Sequence, residues 1–123
     1  MSENLIWSIG DVRITRVEER ITPVPWKSMV PDASKLVNDC RPWLDPFISS
    51  SGDYLLLSVH SFVVETPENV IVIDTCVGDG GDLPLQGDPT FGDRLAAVVP
   101  GGLDTVDIVV CTHLHFDLSL IHI

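Results

Sequence analysis

Three stretches constrain this chain more than any others: "YLLLSVHSFVVE", "NVIVIDTC" and "DTVDIVVCTH". The first reads as a long strand, and all three are rich in β-branched residues and almost continuously apolar, as expected of strands covered on both faces. Pro67-Glu68-Asn69 reads as the turn between the first two, and the second ends near Asp74. Between the second and third lie a Gly/Asp-rich loop, "VGDGGDLPLQGDP", and the segment "TFGDRLAAVVPGG". The latter is predicted to be a helix starting at Thr90 and ended by Gly101 and Gly102. Strands, loop, helix and strand in that order predict a mixed α and β domain.

Upstream, "LIWSIGDVRITRVEE" alternates apolar and polar residues on both sides of Gly10-Asp11, which predicts a β-hairpin. The next stretch carries Pro23, Pro25, Pro31, Pro42 and Pro46. It is expected to be mostly irregular, with one short helix around Ala33 to Asp39 capped by Asp32. The 123 residues fit one domain or part of a larger one, without repeats or low-complexity segments.

A hydrophobic share of 45% and a mean hydropathy of +0.28 predict a packed core. The formal charge of −11 and a pI near 4.4 disfavour phosphate backbones and anionic membranes as partners, and no Lys/Arg cluster overrides that average. Cys40, Cys76 and Cys111 are widely spaced and include no C-x-x-C pair, which reads as buried thiols in a reducing compartment. The N-terminal residues lack a basic region followed by an apolar one, so the expected location is the cytoplasm.

The chemistry concentrates where the last apolar run ends, in Thr112-His113-Leu114-His115-Phe116-Asp117. While the backbone stays extended, alternate side chains share a face, so His113 and His115 can converge on one ion and Asp117 continues the series. Imidazole and carboxylate together suit zinc, manganese or iron. In a chain of this composition H-x-H-x-D should arise by chance only about 0.01 times.

"CTHLHFD" after a buried strand, with "VIVIDTC" ending an earlier one, resembles the metallo-β-lactamase superfamily and its H-x-H-x-D-H motif. The stretches "WSIGDVRITRVEE" and "SVHSFVVETPENVIVIDTCVGD" are similar to its lactonase and organophosphate-hydrolase-like branch. That resemblance implies an α+β fold, with this chain supplying the N-terminal half of a four-layer αββα sandwich over residues 1–117. It implies two divalent metal ions, zinc with manganese or iron as alternatives. His113 and His115 would hold the first metal with a later histidine. Asp117 would hold the second and hydrogen-bond the nucleophilic water. Asp74 would support the site from beneath, orienting a ligand or the water, besides bonding backbone groups at its strand end.

The implied reaction is attack by metal-bound hydroxide on a lactone, ester, amide or phosphoester, with a small-molecule substrate and room for a homodimer. A thioester hydrolase of the glyoxalase II kind, or an iron-dependent persulfide dioxygenase, would share every motif residue. Two positions depart from the pattern: Cys76 stands where the family often has Gly, and Leu118 where the motif continues with His. Leu118 to Ile123 resemble the in-frame translation of a sequencing-library adaptor, so 118–123 are expected to be a non-native tail and the 123-residue chain an inactive fragment.

The remaining residues read more plainly. His60 is expected in the core or on a sheet face rather than at a metal. Cys76 and Cys111 are expected as small buried packing residues. Trp26 and Trp43 read as core cover or a dimer contact, with a pocket wall as the lesser alternative. "GDGGD" lacks the phosphate-loop pattern, and its carboxylates would repel phosphate.

Overall fold

The computed structural model describes residues 4–32, 34–78 and 87–113, the side chains of 34–36 excepted. They form two compact units, Met1–Arg20 with Val59–Ile123, and Ile21–Ser58. The architecture is α+β, and among the described residues five strands form one sheet ordered β1-β2-β3-β4-β5. No described helix is long and apolar enough to cross a membrane.

The predicted hairpin forms. β1 (Leu5–Ile9) and β2 (Val12–Pro25) are antiparallel, Ile9 faces Val12, and Gly10 between them sits at φ 58. A two-residue hairpin loop wants that left-handed conformation, which glycine adopts at little cost. β3 (Tyr54–Glu65) and β4 (Val70–Ile73) follow as the apolar runs predict, antiparallel with Phe62 opposite Ile73. Thr66 closes the turn between them, its hydroxyl accepting from the N–H groups of Glu68 and Asn69.

β4 then crosses over to β5 (Ile108–Val110), which lies parallel to it with Ile71 opposite Ile108 and Ile73 opposite Val110. The helix within this crossover, Phe91–Val98, stops earlier than its glycines predicted. Val99 precedes Pro100 and takes an extended conformation (φ −72, ψ 123), because the proline ring disfavours a helical residue before it.

The crossover helix covers one face of the sheet. Phe91, Leu95 and Val99 pack with Val17, Val59, Val63, Val72 and Cys76. Alternation chooses these residues: Thr15, Val17 and Glu19 point inward from β2, and Val59, Ser61 and Val63 from β3. Each fully buried Val, Leu or Phe contributes roughly 1.5–3 kcal/mol.

The expectation of strands covered on both faces is corrected. On the outer face of β3, His60 packs edge-on against Phe62 with ring centroids 4.9 Å apart, and both are only partly buried. All three residues of β5 are exposed, Val109 by 45%. The sheet order leaves β5 with a neighbour on one side among the described residues.

The proline-rich unit is also more regular than predicted. β2 runs through Pro23 and Pro25, since its ladder with β1 ends at Arg16 and those prolines interrupt no bond to it. Two helices follow, α1 (Trp26–Met29) and α2 (Ser34–Leu44), the second continuing past Pro42. Pro42 stands two residues before the end of this helix, and Asp45–Phe47 then forms a 3-10 turn with Pro46 in its first turn, where a missing N–H costs nothing. Trp26 is buried with Ile48, flanked by Val37, Leu44 and Leu55, and its indole N–H donates to the Gly52 carbonyl at 2.9 Å. Trp43 is 66% exposed and takes no part in that core.

Candidate metal centre

Parallel pairing places the carboxyl ends of β4 and β5 side by side, and the residues just beyond them carry the candidate chemistry. Asp74 follows β4 directly, and its N–H donates to the Val110 carbonyl at 2.8 Å, so strand pairing carries one residue past the assigned strand. There the backbone turns sharply: Asp74 and Cys76 both lie at φ 59, although neither is glycine. The Ser61 hydroxyl donates to the Asp74 carbonyl and holds the turn from below.

In this conformation the Asp74 carboxylate reaches across to Thr112. It accepts from the Thr112 N–H at 2.8 Å and from the Thr112 hydroxyl at 2.8 Å (Oδ2) and 3.0 Å (Oδ1). The same hydroxyl lies 3.0 Å from His113 Nδ1. A carboxylate only accepts, so the single hydroxyl proton points to Asp74. Thr112 Oγ1 is then placed to accept from Nδ1–H, an arrangement that in the neutral ring puts the lone pair on Nε2. A carboxylate, a hydroxyl and an imidazole in series fix the ring's orientation and tautomer, as the outer partners of metal-bound histidines do.

This donor set fits a divalent metal at His113. Asp74, predicted to bond backbone groups at its strand end, does so at the Thr112 N–H, and it also takes the Thr112 hydroxyl. His115 and Asp117 lie outside the described residues, as do Leu118 to Ile123 and the 79–86 part of the Gly/Asp-rich loop. Among the described residues no three His, Cys, Asp or Glu side chains gather around one ion position.

Two cysteine expectations divide. Cys76 is fully buried, its sulfur 3.4 Å from Ser61 Oγ, whereas Cys111 is exposed and does not pack. Cys111 continues the exposed run of β5. None of the three cysteines forms a disulfide.

Sequence reasoning missed Glu19. It is only 6% exposed and accepts three backbone N–H bonds, from Val77 (3.2 Å), Gly78 (2.7 Å) and Asp88 (3.1 Å). One signal was available: in "ITRVEE" the alternation that turns Val17 inward also turns Glu19 inward, a charge on the core face. Arg94 braces the same place, donating to the carbonyls of Glu18 (2.6 Å) and Glu19 (3.2 Å) and to the Asp88 carboxylate (2.6 Å). Asp88 also accepts from the N–H and hydroxyl of Thr90, and these bonds, then Arg94, hold its pKa below the usual carboxylate value against the opposing effect of burial.

The profile of the metallo-beta-lactamase superfamily matches residues 54–117, more than half of the chain. No curated protein matches it. Among solved structures the chain is similar to the hydrolase AbOPH of the beta lactamase superfamily, with 18% identity and a TM-score of 0.66 over 96% of this chain and 38% of that one. A probable metal-dependent hydrolase from Staphylococcus aureus gives 22% identity and a TM-score of 0.68 over 92% and 41%. AidC, a dizinc quorum-quenching lactonase solved with a product, gives 18% and 0.68 over 94% and 37%. At these identities the likeness is one of fold, and the chain spans roughly two fifths of the length of each structure.

Proposed function

The chain belongs to the metallo-beta-lactamase superfamily, and on that footing we propose that it forms part of a metal-dependent hydrolase acting on a lactone or related ester, amide or phosphoester. The observation that carries the reading is the Asp74–Thr112–His113 series at the carboxyl ends of two parallel strands. A structural role for Asp74 needs only its backbone bonds and the Thr112 N–H. The further hydroxyl link to an imidazole suits a ring held to ligate.

His113 and His115 would hold one metal and Asp117 a second, zinc being the metal best matched to this donor set, with manganese or iron as alternatives. Divalent metal supplies Lewis acidity, acidifying water and polarising the electrophilic oxygen. Asp117 would accept a hydrogen bond from the nucleophilic water and so aim it. Thr112 and Asp74 keep the proton of His113 on Nδ1. The dizinc lactonase among the structural neighbours favours an ester carbonyl as the electrophile, and the charge of −11 favours a small substrate over a polyanion.

Three ligands do not complete a two-metal site, so the 123-residue chain is proposed to be inactive alone. For the function, the whole protein is assayed with lactone, thioester, phosphotriester and persulfide substrates alongside metal analysis. Two bound metals with lactone or ester turnover are expected, and turnover undiminished by chelation would refute a metal-dependent reaction.

A further inference from the structure

Glu19 lies outside the metal motif, yet it is bonded at both ends of the segment that follows Asp74. Its Oε2 takes the N–H of Val77, and its Oε1 takes those of Gly78 and Asp88. The two ends therefore meet on one carboxylate. Gly87 shows how closely: a Cβ there would run into Glu19 Oε1 and the backbone of Gly78. Arg94 grips the outside of this junction through Glu18, Glu19 and Asp88, with its guanidinium 5.4 Å from the centre of the Phe91 ring. Three N–H donors with no competing acceptor suit a carboxylate, and bonds to a charged acceptor are the stronger kind.

The turn from Asp74 to Gly78 gives this clasp its importance. Asp74 and Cys76 hold left-handed conformations that cost a non-glycine residue free energy, and such residues persist only where their surroundings over-determine them. Ser61 secures the turn at the Asp74 carbonyl, and Glu19 secures it three and four residues later, at Val77 and Gly78. With the far side released, the turn could relax, and the Asp74 carboxylate would lose its aim at Thr112.

We propose that Glu19 is a positioning residue of the metal site, a buried carboxylate that gathers the Gly78 and Asp88 ends and so holds Asp74 in the turn from which it orients Thr112 and His113. The proposal rests on the metal-dependent reading above. It requires neither that Glu19 touch metal or substrate nor that it change protonation.

The test compares Glu19→Gln and Gly87→Ala, each in the native and the Asp74→Asn background, in the whole protein. Amide exchange is followed at Thr112 and at the paired core residues Val63 and Val72 in the metal-free state, and cobalt(II) affinity is then measured. Glu19→Gln is expected to speed exchange at Thr112 about 10-fold while Val63 and Val72 stay protected. Cobalt affinity should fall roughly 3–10-fold, less than for direct loss of an outer partner. In the Asp74→Asn background the same change should weaken affinity little further, because both act through one group.

Gly87→Ala should reproduce the pattern without altering charge, and it decides the matter if Glu19→Gln fails to fold. Uniformly faster exchange at all three amides, with unchanged cobalt affinity per folded molecule, would overturn the proposal in favour of simple stabilisation. So would full additivity with Asp74→Asn. If the native protein binds no cobalt, the metal reading fails; if it binds cobalt and Asp74→Asn leaves that affinity untouched, Asp74 does not orient the site and the proposal for Glu19 falls.

Discussion

Asp74 binds Thr112 twice, through its backbone N–H at 2.8 Å and through its hydroxyl at 2.8 Å from Oδ2, and that hydroxyl touches His113 Nδ1 at 3.0 Å. The arrangement depends on Asp74 having two acceptor atoms and no donor. In Asp74→Asn the amide NH2 would occupy one of the two places. Thr112 Oγ1 would then accept from it and donate its own proton to Nδ1, moving the ring proton to Nε2 and spoiling that nitrogen as a ligand. Metal affinity, read by chelator competition, should fall about 10–100-fold. Thermal stability should change less, because the Thr112 N–H keeps an acceptor. Lost stability with full affinity per folded molecule would mean that Asp74 only terminates its strand.

Thr112 permits a finer cut. Thr112→Val keeps the shape and the N–H bond but removes the hydroxyl, so folding should weaken by about 0.5–1.5 kcal/mol, the value of an ordinary hydrogen bond. Metal affinity should fall about 10-fold through the loosened imidazole. Thr112→Ser should restore most of it. Equal affinities for the Ser and Val variants would show that the hydroxyl does not hold the ring.

His113→Ala and His115→Ala should each abolish binding of the first metal in the whole protein, because tetrahedral zinc cannot readily spare a protein ligand. Chelator treatment of the native protein should remove activity, and zinc or manganese should return it. Metal analysis on each variant provides the check. Stoichiometric first-metal binding in either one would remove that residue from the ligand set.

Asp88 makes stability pH-dependent. The Thr90 bonds, then Arg94, hold its folded pKa below that of the unfolded chain, so the unfolded state binds more protons as acid is added. Its contribution is present in full above about pH 4, the ordinary carboxylate range, and is lost as pH falls through the lower folded value. Unfolding midpoints of the native protein should therefore drop in that acid window. Asp88→Asn should reduce that drop and begin from a lower plateau at neutral pH. Identical slopes in the two proteins would show that Asp88 is not the group responsible.

Cys76 is fully buried at φ 59, a conformation that glycine adopts more readily than cysteine. Two effects oppose each other in Cys76→Gly: relief of a left-handed residue, roughly 1–2 kcal/mol, and loss of a small packed side chain of about the same value. The net change in stability should lie within about 1 kcal/mol. Cys76→Val should be clearly worse, since a β-branched residue is a genuine outlier in that conformation. Denaturant midpoints for both variants measure this. A Val variant as stable as the native chain would show that the backbone there can turn the other way.

Much of the fold is written in neighbouring residues. The Gly10 turn, the runs of β3 and β4 and the start of the crossover helix follow from patterns within ten or twelve positions, because strand alternation, turn chemistry and helix caps are local physics. His113, His115 and Asp117 stand out for the same reason: a two-residue spacing is a statement about one extended backbone. The proline-rich unit misled because a proline's effect depends on whether its missing N–H has a partner, and strand pairing and helix position decide that. The continuous apolar character of "DIVVC" likewise could not tell that β5 is left exposed, since whatever covers a strand face is set by packing rather than by neighbours in sequence.

The contacts that build the candidate site are non-local. Asp74 meets Thr112 across 38 positions, Glu19 meets Val77 and Asp88 across 58 and 69, and Arg94 reaches Glu18 across 76. Alternation could turn Glu19 inward, but it could not supply the three N–H groups that make a buried charge tolerable. Those arrive only when the crossover brings the end of β4 and the start of its helix back against β2. Nor could composition place Asp74 at a positive φ, a conformation that isolated residues avoid and that the bonds of Ser61 and Glu19 around it sustain. Sequence names the chemical groups, and packing decides which way they face and what they hold.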